Sequence, residues 1–224
     1  MDTTARPDYS KIKLIACATV MEEILPSLPP DLSFQRLDFG LHNDPDKLRT
    51  ALQQAIDSVE PHIQTILLGY GLCSRAVAGL KSHSCTIIIP RVDDCIGIFL
   101  GSAQAYHAQH TAAPGTLYQT KGWLESDDTL QSLPDLIKRY GETRAKRLFH
   151  AMFKNYDRLV FINTGNYQIE HYRQLSREKA AELNLRFEEI QGSNRLVKKL
   201  IAGPWDEEFV VVEPGREVRF ADFR

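Results

Sequence analysis

The chain has 224 residues, 43% of them hydrophobic and 25% charged, with a formal net charge of -2. That length can bury one large α/β core or two smaller lobes, and the near-neutral balance excludes a global basic field for nucleic acid. No stretch approaches the apolar span a membrane helix needs, and residues 1–10 lack the apolar core of a signal peptide. The reading is a short disordered lead-in (1–10) to a cytoplasmic α/β domain (11–222), in which four cysteines stand for free thiols, catalysis or metal binding more often than disulfides.

In chain order, Lys11 to Ala16 reads as a buried strand, and Thr19 to Leu25 begins a helix that Pro26 interrupts. Leu32 to Phe39 alternates apolar and polar residues, which predicts a strand near an edge. Asp44 can cap a helix with Pro45 at its first position and an apolar stripe of Leu48, Leu52, Ala55, Ile56 and Val59. Thr65 to Gly69 and Cys85 to Pro90 are fully apolar, as strands covered on both faces must be. Ala76 to Leu80 and Cys95 to His107 are the intervening helices, and Thr116 to Thr120 is a further strand.

The second half repeats this grammar. Asp135 to Asn155 gives one or two helices bent around Gly141, and Arg158 to Asn163 a strand. Ser176 to Leu183 is read as a helix, Arg186 to Ile190 as a strand, and Asn194 to Ala202 as a helix stopped by Gly203-Pro204. Phe209 to Val212 and Val218 to Phe220 suggest a hairpin around Pro214-Gly215. Alternating strands and helices predict a three-layer fold, a mostly parallel sheet with helices on both faces, as one domain or as two small Rossmann-like lobes. A boundary between Gly122 and Pro134 would give lobes of 11–122 and 123–222.

Three cysteines fall just past predicted strands: Cys17, Cys73 and Cys95. Ligands of open α/β sheets collect at the carboxyl ends of strands, and neighbouring strands lie only ~5 Å apart, so these thiols could meet over one patch. Gly69-Tyr70-Gly71-Leu72-Cys73 allows a tight turn into the predicted helix, whose N-terminus would lower the thiol pKa, helped by Arg75 if it turns inward. The alternative is a glycine turn followed by a small buried cysteine. The pattern is neither a Walker loop nor a dinucleotide fingerprint. Asp93 and Asp94 precede Cys95; each is either a helix cap or a proton-transferring carboxylate beside the thiol. Cys85 begins its strand and is expected to be structural.

Three thiolates with an open fourth position would suit zinc or iron, although no local finger spacing exists. Histidines add little by spacing. Tyr70, Arg91, Tyr118 and Trp123 are candidate substrate-binding residues, with core packing the alternative for Tyr118 and Trp123. Asn163-Thr164-Gly165-Asn166 is either a site-facing strand exit or an Asn-Gly turn.

Gly69-Tyr70-Gly71-Leu72-Cys73, Ile89-Pro90-Arg91-Val92-Asp93-Asp94-Cys95-Ile96, Leu100-Gly101-Ser102 and Gly115-Thr116-Leu117-Tyr118 to Gly122-Trp123 together resemble the domain of unknown function numbered 1638. Leu14-Ile15-Ala16-Cys17 resembles that family's opening strand, and the likeness runs from about Lys11 to Phe220. The family has no settled activity. Some members are encoded near corrinoid-dependent methyltransferase systems, which implies such a system as a partner and a corrinoid or tetrapyrrole as a cofactor. Where members carry His-Asp before the third cysteine, this chain has Asp93-Asp94.

Three expectations follow. The first is a metal-thiolate protein with zinc or iron on Cys17, Cys73 and Cys95, in its sharpest form an enzyme of methyl or one-carbon transfer in which Asp93 or Asp94 moves a proton. The second is a non-catalytic accessory or binding protein for a corrinoid, tetrapyrrole or metal cluster. The third is a redox dithiol of Cys73 and Cys95.

Overall fold

The structure is a computed structural model that describes residues 7–125 and 133–224. The chain divides into two compact units, Met1–His107 with Gly192–Arg224, and Ala108–Gln191. The division therefore differs from the Gly122–Pro134 boundary suggested by sequence. The chain leaves the first unit partway along a helix, at His107, and returns to it at Gly192.

The first unit begins with a 3-10 turn at Tyr9–Lys11, capped by Asp8. Residues 1–6 of the expected lead-in lie outside the described residues. The elements that follow are β1 (Ile12–Cys17), α1 (Ala18–Ile24), β2 (Ser33–Leu37), α2 (Pro45–Asp57), β3 (Thr65–Gly69), β4 (Thr86–Pro90) and α3 (Cys95–Leu100). Strand order is β2-β1-β3-β4-β8, where β8 (Phe209–Val212) is antiparallel to β4 and the other pairs are parallel. Because β1 connects outward to β2 and the chain then crosses back to β3, right-handed crossovers send α1 and α2 to opposite faces. The strand direction of travel reverses between β1 and β3, which opens a crevice at their carboxyl ends.

Local chemistry explains the elements. The Asp44 carboxylate accepts from the Lys47 amide at 3.2 Å to start α2, which buries Leu48, Leu52, Ala55 and Ile56. β3 and β4 are apolar because both faces are covered; Ile66, Leu67, Leu68, Ile87 and Ile89 are fully buried.

Three expected elements differ. Ala76 to Leu80 is a set of turns: Cys73, Ser74 and Arg75 before it all have positive φ (44°, 55° and 69°), and Gly79, φ 90°, stops the right-handed turn that begins at Ala76. The Cys95–His107 helix breaks at Gly101, whose φ of 83° closes α3 before α4 (Ala103–Ala112) begins. Gly101 is also a close approach, since a Cβ there would meet Ser193 Cβ at 2.7 Å. No hairpin forms around Pro214-Gly215. Instead β8 pairs with β4, while the Val218 amide donates to the Leu80 carbonyl and the Gly79 amide to the Val218 carbonyl, each at 2.8 Å.

The second unit holds a parallel sheet in the order β5-β6-β7: β5 (Thr116–Gln119), β6 (Arg158–Asn163) and β7 (Arg186–Gln191). Its helices are α5 (Lys121–Glu125), α6 (Leu133–Tyr140), α7 (Glu142–Phe153) and α8 (Ile169–Leu183); Gly141, φ 76°, separates α6 from α7. Helix α8 starts seven residues before Ser176, which sits fully buried in its middle. Leu117, Leu136, Phe149, Phe153, Leu159 and Leu183 belong to its core. Buried Arg158 is neutralised by Glu188 at 2.5 Å and donates to Thr116 at 2.7 Å. The chain re-enters the first unit with α9 (Arg195–Ala202), whose Leu196, Val197, Leu200 and Ile201 are buried.

Candidate functional site

The site is built at the carboxyl rim of the first unit's sheet. Parallel pairing of Ala16 with Gly69 sets the ends of β1 and β3 side by side, so Cys17 closes one strand as Tyr70 leaves the next. Gly69 is needed for that approach: a Cβ there would lie 2.6 Å from Ala16 Cβ. Beyond β3 the backbone is bound to the β4 exit. The Leu72 amide donates to the Val92 carbonyl and the Cys73 amide to the Asp93 carbonyl, both at 2.8 Å. Gly71 makes this contact possible, since a Cβ would meet Val92 O at 2.7 Å and Asp94 N at 2.9 Å. Asp94 then caps α3 by accepting from the Ile96 amide at 2.8 Å, with Cys95 as its first residue.

Cys17, Cys73 and Cys95 are all buried free thiols, and Tyr70 is 1% exposed among them. Burial first, and then negative charge on Cys17, Cys73 and Cys95 in turn, push the Tyr70 hydroxyl well above its ordinary pKa. Each of the three thiols, when ionised, thus adds to the rise at one phenol, although they come from three separate crossovers. Cys73 is held far above the usual thiol value by burial, then by the Asp94 carboxylate, with Cys17 adding. Cys17 is also raised, by burial, against a lowering hydrogen bond with Thr19 Oγ1 at 3.3 Å. Burial raises Asp94 against its Ile96 hydrogen bond, with Asp93 adding. Cys17 and Cys73 therefore rest as protonated thiols.

This corrects the expectation that a helix N-terminus lowers the Cys73 pKa. No helix follows Cys73, and Arg75 turns outward, its guanidinium carbon 4.6 Å from the Phe220 ring centroid. Cys85 lies at the opposite strand end, where its thiol donates to the Ile63 carbonyl at 3.2 Å.

His42 belongs to the cluster and had no signal in residue spacing. It follows β2, and its ring stacks between Phe39 (5.1 Å between centroids) and Tyr70 (6.0 Å). Nδ1 lies 3.1 Å from the Phe39 carbonyl and 4.0 Å from Cys17 Sγ. A carbonyl only accepts, so Nδ1 carries the proton; burial keeps the ring neutral by lowering its pKa, and Nε2 is left as a lone pair. Nε2 and the Tyr70 hydroxyl are both buried without a hydrogen-bond partner among the described residues. The usable signal was positional: His42 shares the strand-end address that singled out the cysteines.

The remaining candidates fall elsewhere. Asp93 is half-exposed and bonds His107 Nε2 at 3.0 Å, at a surface cleft that Arg91 also lines. Tyr118 and Trp123 belong to the second unit, on β5 and α5. Asn163 Oδ1 accepts from the Gly165 amide at 3.0 Å, so that strand exit forms an Asx turn. Among the described residues, no three His, Cys, Asp or Glu side chains stand where they could together hold a metal ion. None of the helices there is long and apolar enough to cross a membrane.

Fold and site define an α/β protein with a thiol-lined rim at the switch point of a parallel sheet. The chain belongs to the family described as Protein of unknown function (DUF1638), whose model matches residues 36–201. The matched stretch contains Tyr70, Cys73 and Cys95; Cys17 lies before it, so the match is narrower than the likeness read from the motifs. No curated protein and no solved structure matches the chain.

Proposed function

We propose that this protein binds a soft metal centre, either zinc or iron as an ion or a metal-bearing cofactor such as a corrinoid or tetrapyrrole, at the thiol cluster around Tyr70. The observation that supports the reading is the pair of buried polar atoms with no partner among the described residues, His42 Nε2 and the Tyr70 hydroxyl, within a cluster of three thiols. Buried polar atoms are nearly always satisfied, so such a pair marks a place where a bound group belongs. A histidine whose Nδ1–H is anchored on a backbone carbonyl is oriented to ligate through Nε2.

The cluster is not a ready cage. Loading requires the thiols to lose protons and the side chains to turn toward a common centre, and a soft cation drives both. Methyl or one-carbon transfer is the finer form of the proposal. In it Asp94, buried beside Cys73, takes the proton that the thiol gives up, while Asp93 belongs to the neighbouring cleft. Partnership with a corrinoid methyltransferase system rests on the family resemblance alone. The redox alternative, a dithiol of Cys73 and Cys95, ranks lower, because thiol exchange runs through thiolates and Cys73 is held protonated.

Elemental analysis and absorbance of protein purified without chelator test the proposal. The expected result is metal or chromophore near one equivalent per chain, reduced in Cys17→Ser, Cys73→Ser, Cys95→Ser and His42→Gln. Content that is unchanged in all four variants would contradict it.

A further inference from the structure

A cleft of about 360 Å³ opens beside the β4 exit, lined by Leu72, Arg91, Asp93, His107, Phe220 and Arg224 among others. Its volume falls in the range of small-molecule sites. Arg91 is fixed there as it leaves β4: its amide donates to the Glu208 carbonyl at 2.8 Å, and its Nη2 to the Phe209 carbonyl at 3.2 Å. Its Nε is buried and has no partner among the described residues. Phe220, also of the lining, lies under two guanidinium groups, Arg224 at 4.5 Å and Arg75 at 4.6 Å from its centroid.

Charge decides what this cleft takes. Nearby arginines are spent on acids, Arg195 on Glu208 and Arg216 on Asp222. Among the described residues, Arg75, Arg91 and Arg224 have no Asp or Glu at ion-pair distance. The one lining carboxylate named above, Asp93, is engaged with His107. A guanidinium drawn partly out of water needs a counter-charge, and its fork of donors fits a carboxylate or a phosphate.

We propose that this cleft is a binding site for a small organic anion, its carboxylate or phosphate held by Arg91 and Arg224 and its apolar part laid against Leu72 and Phe220. The site stands independently of the thiol reading, although the two adjoin in sequence. Leu72 and Asp93 face the cleft, while Cys73 and Asp94, the next residues on the same two bonded loops, belong to the thiol cluster.

Calorimetry on the full chain at low ionic strength, with inorganic phosphate, phenyl phosphate and benzoate as probes, tests this. The expected result is that one aromatic probe binds more tightly than inorganic phosphate, and whether it is the phosphate or the carboxylate identifies the headgroup class. Arg91→Gln should weaken binding about tenfold or more, because a bidentate charge-assisted pair is lost. Arg36→Gln, whose charge is spent on Glu22, should leave binding within about twofold. If Arg91→Gln fails to fold, Arg224→Gln on the exposed wall gives the same readout. Absence of binding for all three probes, or native affinity in the folded arginine variants, would overturn the proposal.

Discussion

His42 and Asp94 carry opposite protonation logic, and both consequences are measurable. Burial lowers the His42 pKa below its ordinary 6.5. As pH falls through that value the unfolded chain takes up a proton that the native ring refuses, so stability drops until the native pKa is reached. His42→Gln should therefore flatten the fall in stability between about pH 7 and 5, read as denaturation midpoints across that range. An equal slope in both proteins would contradict a buried neutral ring. The Asp94 carboxylate raises the Cys73 pKa, and asparagine also caps helices well. Asp94→Asn should keep α3 and shift alkylation of Cys73 by iodoacetamide to lower pH; an unshifted profile would show that the two groups are not coupled. His42 escaped the sequence reading because it sits beyond a short edge strand, where no spacing rule points. Tyr70 and the three cysteines were legible because strand ends in an α/β sheet are ligand addresses, and apolar runs show where strands end.

At the scale of elements, the site depends on how closely two loops approach. Gly71 has no room for a side chain, since a Cβ would press on Val92 O at 2.7 Å. Gly71→Ala should cost about 1–3 kcal/mol by forcing the β3 and β4 exits apart. It should also raise the alkylation rate of Cys73, and a variant as stable and as unreactive as the native chain would contradict the close approach. The positive φ angles of Cys73, Ser74 and Arg75 belong to the same device, because strained backbone of this kind persists only where surrounding bonds over-determine it. Here those bonds are the Leu72–Val92 and Cys73–Asp93 pairs. The tight turn and close approach were legible in Gly69-Tyr70-Gly71, but the turns that follow were not: Ala76 to Leu80 has helical composition, and tertiary bonding turns the preceding residues left-handed. Strands β3 and β6 were read residue for residue, because a buried strand bounded by polar residues or glycine marks both of its ends.

For the whole molecule, topology supplies what periodicity cannot. Alternating strands and helices were enough for an α/β class, but the order β2-β1-β3-β4-β8 is fixed by long-range pairing. That order places the crevice where Cys17, Tyr70 and His42 gather. Two lobes were an open reading of the sequence, but where the chain passes between them was illegible for a related reason: the first unit is closed by Gly192–Arg224, a segment distant in sequence. The central claim, that thiols from separate crossovers form one binding site, is tested most directly by zinc calorimetry in buffers of different ionisation enthalpy, which counts protons as well as ions. Because Cys73 and Cys17 rest protonated, the native chain should take up zinc with one-to-one stoichiometry and release more than one proton per ion, and each of the three cysteine-to-serine variants should weaken uptake. No saturable uptake by the native chain, or uptake with no proton released and no change in the variants, would contradict the account.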